Sequence, residues 1–353
     1  YVDYPGSSWA SARNNADLPL DESNPIGSAI VNRQPMYFAD RATQNALYPH
    51  LDTSQQVGNA RSFVPLISRD EVLGTLVLVW EATRQRSEED RVTIEALTSY
   101  AAQAVQRALL VQERLDALVT LQNALLPHLP EPASLQLAAR YRPAASRDQV
   151  GGDWYDAVVM PSGATSLMVG DVVGHDLAAA AIMGQLRNML RAIAWSVDDA
   201  PSNNVARLDR AMRDLGVEGM ASLVYARIEE EPDGTRALRW TNAGHPPPVV
   251  VDGDGVPRLL EARTPDLMVG VDPTAERGDN RAVIGPDSML LLYTDGLVER
   301  RGETITEGIA RLCDAATRHA GRPVDEFLDA VLAELVPGRL HDDVAVLAVK
   351  FLV

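Results

Sequence analysis

Four short acidic phrases constrain this chain more than any other feature: Gly151-Gly152-Asp153, Gly170-Asp171, Thr294-Asp295-Gly296 and His341-Asp342-Asp343. Each lies at or beside the end of an apolar run of strand length, and glycine or a turn residue adjoins three of them. Carboxylates placed this way can converge at one rim of a sheet although they are far apart in sequence. Converging carboxylates repel one another, and a fold rarely tolerates that without a cation to neutralise them. All-oxygen ligation suits hard ions such as Mg²⁺, Mn²⁺ or Ca²⁺ rather than zinc. The first expectation is therefore a carboxylate-rich metal site.

The chain's 353 residues suffice for two domains, each with its own core. Aromatic residues make up only 5%, so alanine, leucine and valine must build most of that core. No apolar run reaches the roughly 20 residues needed to cross a bilayer. The opening residues show neither the basic nor the apolar region of a signal peptide, and the missing initiator Met suggests a fragment or a processed chain. Cys313 is the single cysteine, which excludes an internal disulfide and fits a reducing cytoplasm. A formal charge of −17 would repel nucleic-acid phosphates over most of the surface, so a nucleic-acid partner is not expected.

Along the chain, the part up to about Glu113 reads as a small α/β unit. It has a short helix or turn over 25–32 and strands at 35–39, 62–67 and 72–80. Ser87-Glu-Glu-Asp90 resembles a helix N-cap with acidic first-turn residues. In the long helix that follows, Ala104, Ala108, Val111, Leu115, Leu118, Gln122 and Leu125 recur in steps of four and three, the spacing of a coiled-coil seam that ends at Pro127. The seam predicts a helix that pairs with a second copy and joins two domains; an amphipathic helix lying on its own domain is the plainer alternative. From about Leu135 strands dominate, at 135–141, 154–160, 166–170, 221–228, 237–241, 248–251, 289–294 and 344–351. Helices are expected at 177–195, 200–215, 306–319 and 324–335. This order predicts an α+β fold, a β-sandwich with helices covering the sheets.

Taken singly, an Asp-Gly phrase is a common turn. The ordered set, together with Leu125-Leu-Pro127, Ala178-Ala-Ala-Ala-Ile-Met183 and Asn242-Ala-Gly-His-Pro-Pro247, resembles the metal-dependent protein Ser/Thr phosphatases (the PPM or type 2C family) in their bacterial sporulation and stress-response, SpoIIE-like branch. The resemblance covers roughly Leu121 to Val353. It implies a helix-flanked β-sandwich with two Mn²⁺ or Mg²⁺ ions at one end. By that likeness Asp171 bridges both ions and the Val172 carbonyl joins it. Asp295 and Asp342 match ligands of the second ion, and Asp153 matches an acid bound directly or through water. Asp343 would serve an additional, looser ion. Two cations about 3.5–4 Å apart can bind one water, lower its pKa and deliver it in line, so no Ser or Cys nucleophile is required. No serine here sits in a Gly-x-Ser-x-Gly elbow.

Some positions depart from the family pattern. Val172 and Asp176 stand where glycines are common. Asp176 reads as the N-cap of the next helix rather than a catalytic group. His175 is a candidate proton donor to a leaving alkoxide. His245 reads as a hydrogen-bonded structural residue and His341 as a group orienting Asp342. Arg147 reads as a surface ion-pairing residue with phosphate capture as the alternative, and Leu259 to Asp272 as a candidate flap.

The segment from about Gly6 to Leu110 resembles the later part of a GAF sensor domain, through Asn24-Pro-Ile-Gly-Ser-Ala-Ile-Val31, Pro65-Leu-Ile67 and Leu73-Gly-Thr-Leu-Val-Leu78. It either binds a small-molecule ligand or serves as a dimerising scaffold. The expected organisation is thus a GAF-like domain over 1–110, a helical linker over 111–130 and a phosphatase domain over 131–353. The resemblance implies a cytoplasmic phosphoserine/phosphothreonine phosphatase, homodimeric, acting on a phosphorylated anti-sigma-factor antagonist. The alternative is a pseudo-phosphatase that works as a ligand-sensing, partner-binding module.

Overall fold

The computed structural model describes residues 19–51, 58–125, 127–144, 151–174, 176–231, 235–262, 266–338, 340 and 342–352, with the backbone alone over 114–125. The chain divides into two compact units, Tyr1–Arg114 and Leu115–Val353.

In the first unit, α1 (Pro25–Asn32) starts where Asn24 accepts a hydrogen bond from the Gly27 amide at 2.8 Å, with proline at the first helical position. β1 (Met36–Phe38) and α2 (Arg41–Leu47) follow, then β2 (Ala60–Ser68) and β3 (Glu71–Trp80), and the three strands form one antiparallel sheet in the order β1-β2-β3. Its small core is aromatic, with Phe38 edge-on to Tyr48 and to Phe63 at 6.2 and 5.9 Å. The long helix α3 (Glu88–Leu125) begins at the expected cap: the Asp90 amide donates to Ser87 Oγ and the Ser87 amide to the Asp90 carboxylate. Ile94, Thr98 and Ala102 form its buried stripe, while Leu97, Tyr100 and Val111 stand exposed. Side chains of the expected seam from Leu115 to Leu125 lie outside the described residues. No described helix is long and apolar enough to cross a membrane.

The second unit continues with β4 (Leu135–Arg142), β5 (Asp153–Val159), β6 (Thr165–Val172), α4 (Leu177–Ser196), α5 (Pro201–Leu215), β7 (Ala221–Glu230), β8 (Arg236–Ala243), β9 (Val249–Val251), β10 (Pro257–Leu259), β11 (Asn280–Ile284), β12 (Met289–Tyr293), α6 (Ile305–His319), α7 (Val324–Leu335) and β13 (Val344–Phe351). Two five-stranded antiparallel sheets run β10-β9-β12-β13-β4 and β11-β8-β7-β6-β5. The parity of their side chains explains why β6 and β13 read as unbroken apolar runs. In β13, Val344, Val346 and Ala348 face α6 and α7, while Ala345, Leu347, Val349 and Phe351 fill the space between the sheets. In β6, Met168 and Val172 meet α4 and α5, while Leu167 and Val169 point inward. The result is four layers, helices outside and two sheets inside, as the sequence pattern predicts. Sequence patterning misses α2, β10 and β11, which are short and carry no long apolar run.

Candidate active site

β5 and β6 pair in a register that sets Asp153 opposite Asp171. Both acids share the parity of residues in the inter-sheet core, so they stand where the interior of the sandwich reaches its end. From the other sheet, β12 ends at Tyr293 and turns through a short 3₁₀ segment, Asp295–Leu297, while β13 is entered through Asp342 and Asp343. All four acidic phrases therefore reach one end of the sandwich, two from each sheet.

Their glycines let the phrases meet. A Cβ on Gly151 would lie 2.1 Å from Asp343 Oδ2, one on Gly152 would lie 2.5 Å from the Val172 carbonyl oxygen, and one on Gly296 would lie 2.0 Å from the Asp343 carbonyl oxygen. None of the three has a left-handed backbone, so close approach rather than unusual torsion accounts for them.

The two facing acids carry the electrostatic cost. Asp153 is 3% exposed, and burial, with the neighbouring Asp171 charge next, pushes its carboxyl well above the usual range. Burial pushes Asp171 up to about 7, with repulsion from Asp295 next in weight. Each of the two acids thus disfavours the charge of the other. Asp295 is raised by burial, then by Asp342 and Glu299. Asp342 accepts from the Asp343 amide at 2.8 Å, and buried Asp343 accepts from the Ala144 amide at 2.8 Å. Among the described residues no group of three His, Cys, Asp or Glu side chains is drawn into a ready-made metal cage. A set of carboxylates that is buried and mutually repelling is suited to a hard divalent cation, so the residues fit the ions that the fold family implies.

Val172 closes β6 with its side chain packed against α4 and α5, and its amide donates to the Gly152 carbonyl at 3.2 Å. Its backbone is extended there, which a β-branched residue adopts readily, so the departure from glycine costs nothing locally. Asp176 caps α4, accepting from the Ala179 amide at 2.9 Å, as expected. Arg147, His175 and His341 lie outside the described residues.

Two features were not among the sequence candidates. Thr294 Oγ1 donates to Asp153 Oδ2 at 2.7 Å, tying one sheet to the other beneath the acids, and accepts from the Ala345 amide at 2.9 Å. His245, read as structural, is indeed buried and bridges the same two sheets: its ring joins Ser222 Oγ at 2.7 Å and the Tyr293 carbonyl at 2.9 Å. Because a carbonyl only accepts, Nε2 carries the proton and Ser222 donates to Nδ1. Burial holds this imidazole down to about 4, so it is neutral. Ser222 pairs with Asp171 in the sheet, so the ring links the partner of one acid to the residue two before another, Asp295. Only the adjacency of Thr294 to Asp295 could have pointed to the threonine.

In the candidate flap, Leu259–Asp272, the described part is anchored at single points. Leu260 and Val269 are buried, Val269 and Ala221 exchange backbone hydrogen bonds at 2.9 and 3.1 Å, and the Gly270 amide donates to Asp209. Asp209 also holds Arg277 in a fully buried ion pair. Val269 and Gly270 are thus tied down while Leu267 and Val271 stand exposed; 263–265 lie outside the described residues.

The fold is that of a PP2C-type phosphatase domain. The family description Stage II sporulation protein E (SpoIIE) matches residues 161–352, more than half of the chain, and a GAF domain matches residues 3–106. The chain belongs to the SpoIIE family, with a GAF domain ahead of its PPM-type domain. It is similar to Protein IcfG of Synechocystis sp., at 27% identity over 259 residues, 65% of this chain and 40% of that protein. It is also similar to the phosphoserine phosphatase RsbP of Bacillus subtilis, at 26% identity over 190 residues, 53% of this chain and 45% of that protein. Among solved structures, that of the RsbU and RsbW domains of Rv1364c from Mycobacterium tuberculosis shares the fold with a TM-score of 0.58 and 29% identity, over 64% of this chain and 62% of that one. The chain spans less than half the length of these two curated relatives.

Proposed function

We propose that the chain is a protein serine/threonine phosphatase. The observation that carries this is the meeting of Asp153, Asp171, Asp295 and Asp342 at one end of the sandwich, with Asp153 and Asp171 buried face to face. When bound, two Mn²⁺ or Mg²⁺ ions supply charge neutralisation at the phosphoryl oxygens and a lowered pKa for water. Asp171, the Val172 carbonyl, Asp295 and Asp342 would hold them, with Asp153 alongside and Asp343 available to a further ion. Thr294 fixes the orientation of Asp153, and His245 fixes the spacing of the two sheets behind the acids. The test is Mn²⁺-dependent release of phosphate from a phosphoserine protein, with Asp295→Asn as the control. Equal activity in the control would remove the basis for the metal mechanism.

The substrate proposed is a phosphorylated anti-sigma-factor antagonist, on the strength of the family likeness. Regulation is assigned to the GAF domain and α3, whose exposed Leu97, Tyr100 and Val111 suit pairing with a second copy. A cleft of 440 Å³ in the first unit, lined by Arg69, Arg107, Gln103 and Gln106 among others, is a candidate seat for a small ligand. If Leu115→Glu with Leu118→Glu left both mass in solution and activity unchanged, the paired helix would be wrong.

A further inference from the structure

Beside the acids the chain leaves open an apolar surface that hydrolysis of a small phosphate ester would not need. From Asp171 the chain runs through Val172 to Val173, whose amide donates to the Met220 carbonyl at 2.9 Å. The pairing of β6 with β7, which matches Asp171 with Ser222 and Val172 with Ala221, thus continues one step past both strand ends. By the two-residue alternation of a strand, Val173 and Met220 share the face of Asp171 and Ser222, not the helix-packed face of Val172 and Ala221. Both are nevertheless open to solvent, at 56% and 44%. On α4, half-buried Ile182 lies against Gly219, the residue before Met220, where an added Cβ would sit 3.1 Å from it, and Leu177, in the first turn of the same helix, is 55% exposed.

The charges around this shelf have one sign. Residues 171–174, 176–186 and 217–222 contain no Lys or Arg, and they contribute Asp171, Asp176 and Glu218. Such a border repels a phosphoryl dianion and also a second copy of a chain with net charge −17. Away from the metal site, affinity for a phosphorylated partner can then come from apolar contact, with basic groups on the partner meeting the acidic border.

We propose that Val173, Leu177, Ile182 and Met220 dock the phosphorylated protein substrate, taking an apolar patch with a basic fringe that flanks its phosphorylated residue. The inference rests on the phosphatase reading and adds to it the chemistry by which the substrate is chosen. Val173 and Met220 continue the sheet face of Asp171 and Ser222, so a protein held there would have its neighbouring residues beside Asp171.

The test compares three substrates with Mn²⁺ present: p-nitrophenyl phosphate, a phosphoserine peptide flanked by leucine and arginine, and its counterpart with serine in place of leucine. The wild-type chain is expected to prefer the leucine peptide by about ten-fold in kcat/KM, and Met220→Ser and Leu177→Ser to abolish most of that preference. Both variants should hydrolyse p-nitrophenyl phosphate within about two-fold of wild type, since truncated exposed side chains seldom disturb a fold. A wild-type chain with no preference, variants that keep the preference, or variants that lose activity equally on all three substrates would each overturn the proposal. So would a change in mass in solution as the main effect of the substitutions, which would mark the shelf as a contact between copies. Failure of the wild-type chain to hydrolyse any of the three would instead overturn the phosphatase reading itself, and this docking inference with it.

Discussion

Thr294 and Asp153 lie on opposite sheets and are joined by a hydrogen bond of 2.7 Å from the threonine hydroxyl to the carboxylate. The same hydroxyl oxygen takes the Ala345 amide. Thr294→Val keeps the shape and removes both bonds, leaving a buried carboxylate without its neutral donor. Mn²⁺ affinity and phosphatase activity are expected to fall by about 10–100-fold, as for other groups that orient a metal ligand. Thr294→Ser should restore most of the loss. A metal titration by calorimetry on the three proteins checks this, and an unchanged dissociation constant in the valine variant would remove the role given to Thr294.

Asp171 illustrates a conflict between stability and function. Its charge is disfavoured by burial and then by Asp295, which holds its carboxyl up to about 7. Asp171→Asn removes the charge and keeps the volume. Without divalent metal, the variant is expected to be more stable than wild type at pH 8, by at least about 1 kcal/mol. It should lose Mn²⁺-dependent activity by on the order of a hundredfold or more. Paired denaturation and turnover measurements check both signs, and a destabilised variant would contradict the electrostatic account.

His245 gives a pH dependence of definite sign. Its folded pKa is held down to about 4 by burial, below the ordinary 6.5. The unfolded chain therefore binds more protons between these values, so the contribution of His245 is complete above about 6.5 and is lost as pH falls toward 4. The full span corresponds to on the order of 3 kcal/mol. The buried acids titrate in the opposite direction, so the effect is isolated by comparison with His245→Gln. From pH 7 to pH 5 wild type should lose more stability than the variant. Parallel curves would show that the imidazole does not titrate in this way.

Gly296 tests the packing of the acidic phrases. A Cβ there would lie 2.0 Å from the Asp343 carbonyl oxygen, a backbone atom that cannot step aside. Gly296→Ala is expected to cost about 1–3 kcal/mol and to weaken metal binding by separating the Asp295 turn from β13. Gly338→Ala, at an exposed position without a positive φ where an added Cβ meets nothing, is the comparison for loss of a glycine at the surface. Urea denaturation of both variants distinguishes crowding at the site from the general effect of removing glycine.

Much of this architecture is legible in the sequence because the cues are local. β13 and α7 are delimited by long apolar patterns, and the caps at Ser87 and Asp176 are announced by residue type. The short strands β10 and β11 are not announced: β10 has only three residues, and β11 pairs with β8, some 40 residues earlier in the chain. The acidic phrases could be ordered along the chain, but their division between two sheets depends on which strands pair. The same holds for Thr294 and His245, whose partners lie 141, 23 and 48 residues away. Within the candidate flap, nothing local signals that Val269 bonds to Ala221 or that Asp209 reaches the Gly270 amide and Arg277.

Since each sheet contributes two of the acidic phrases, the distances among them are not fixed by any one stretch of polypeptide. They are set by how closely two slabs of leucine, valine and alanine stack. The oily middle of this protein is thus the ruler for its most charged corner. A change of packing deep inside, with every acid intact, would be read at that corner as a change of ionic grip.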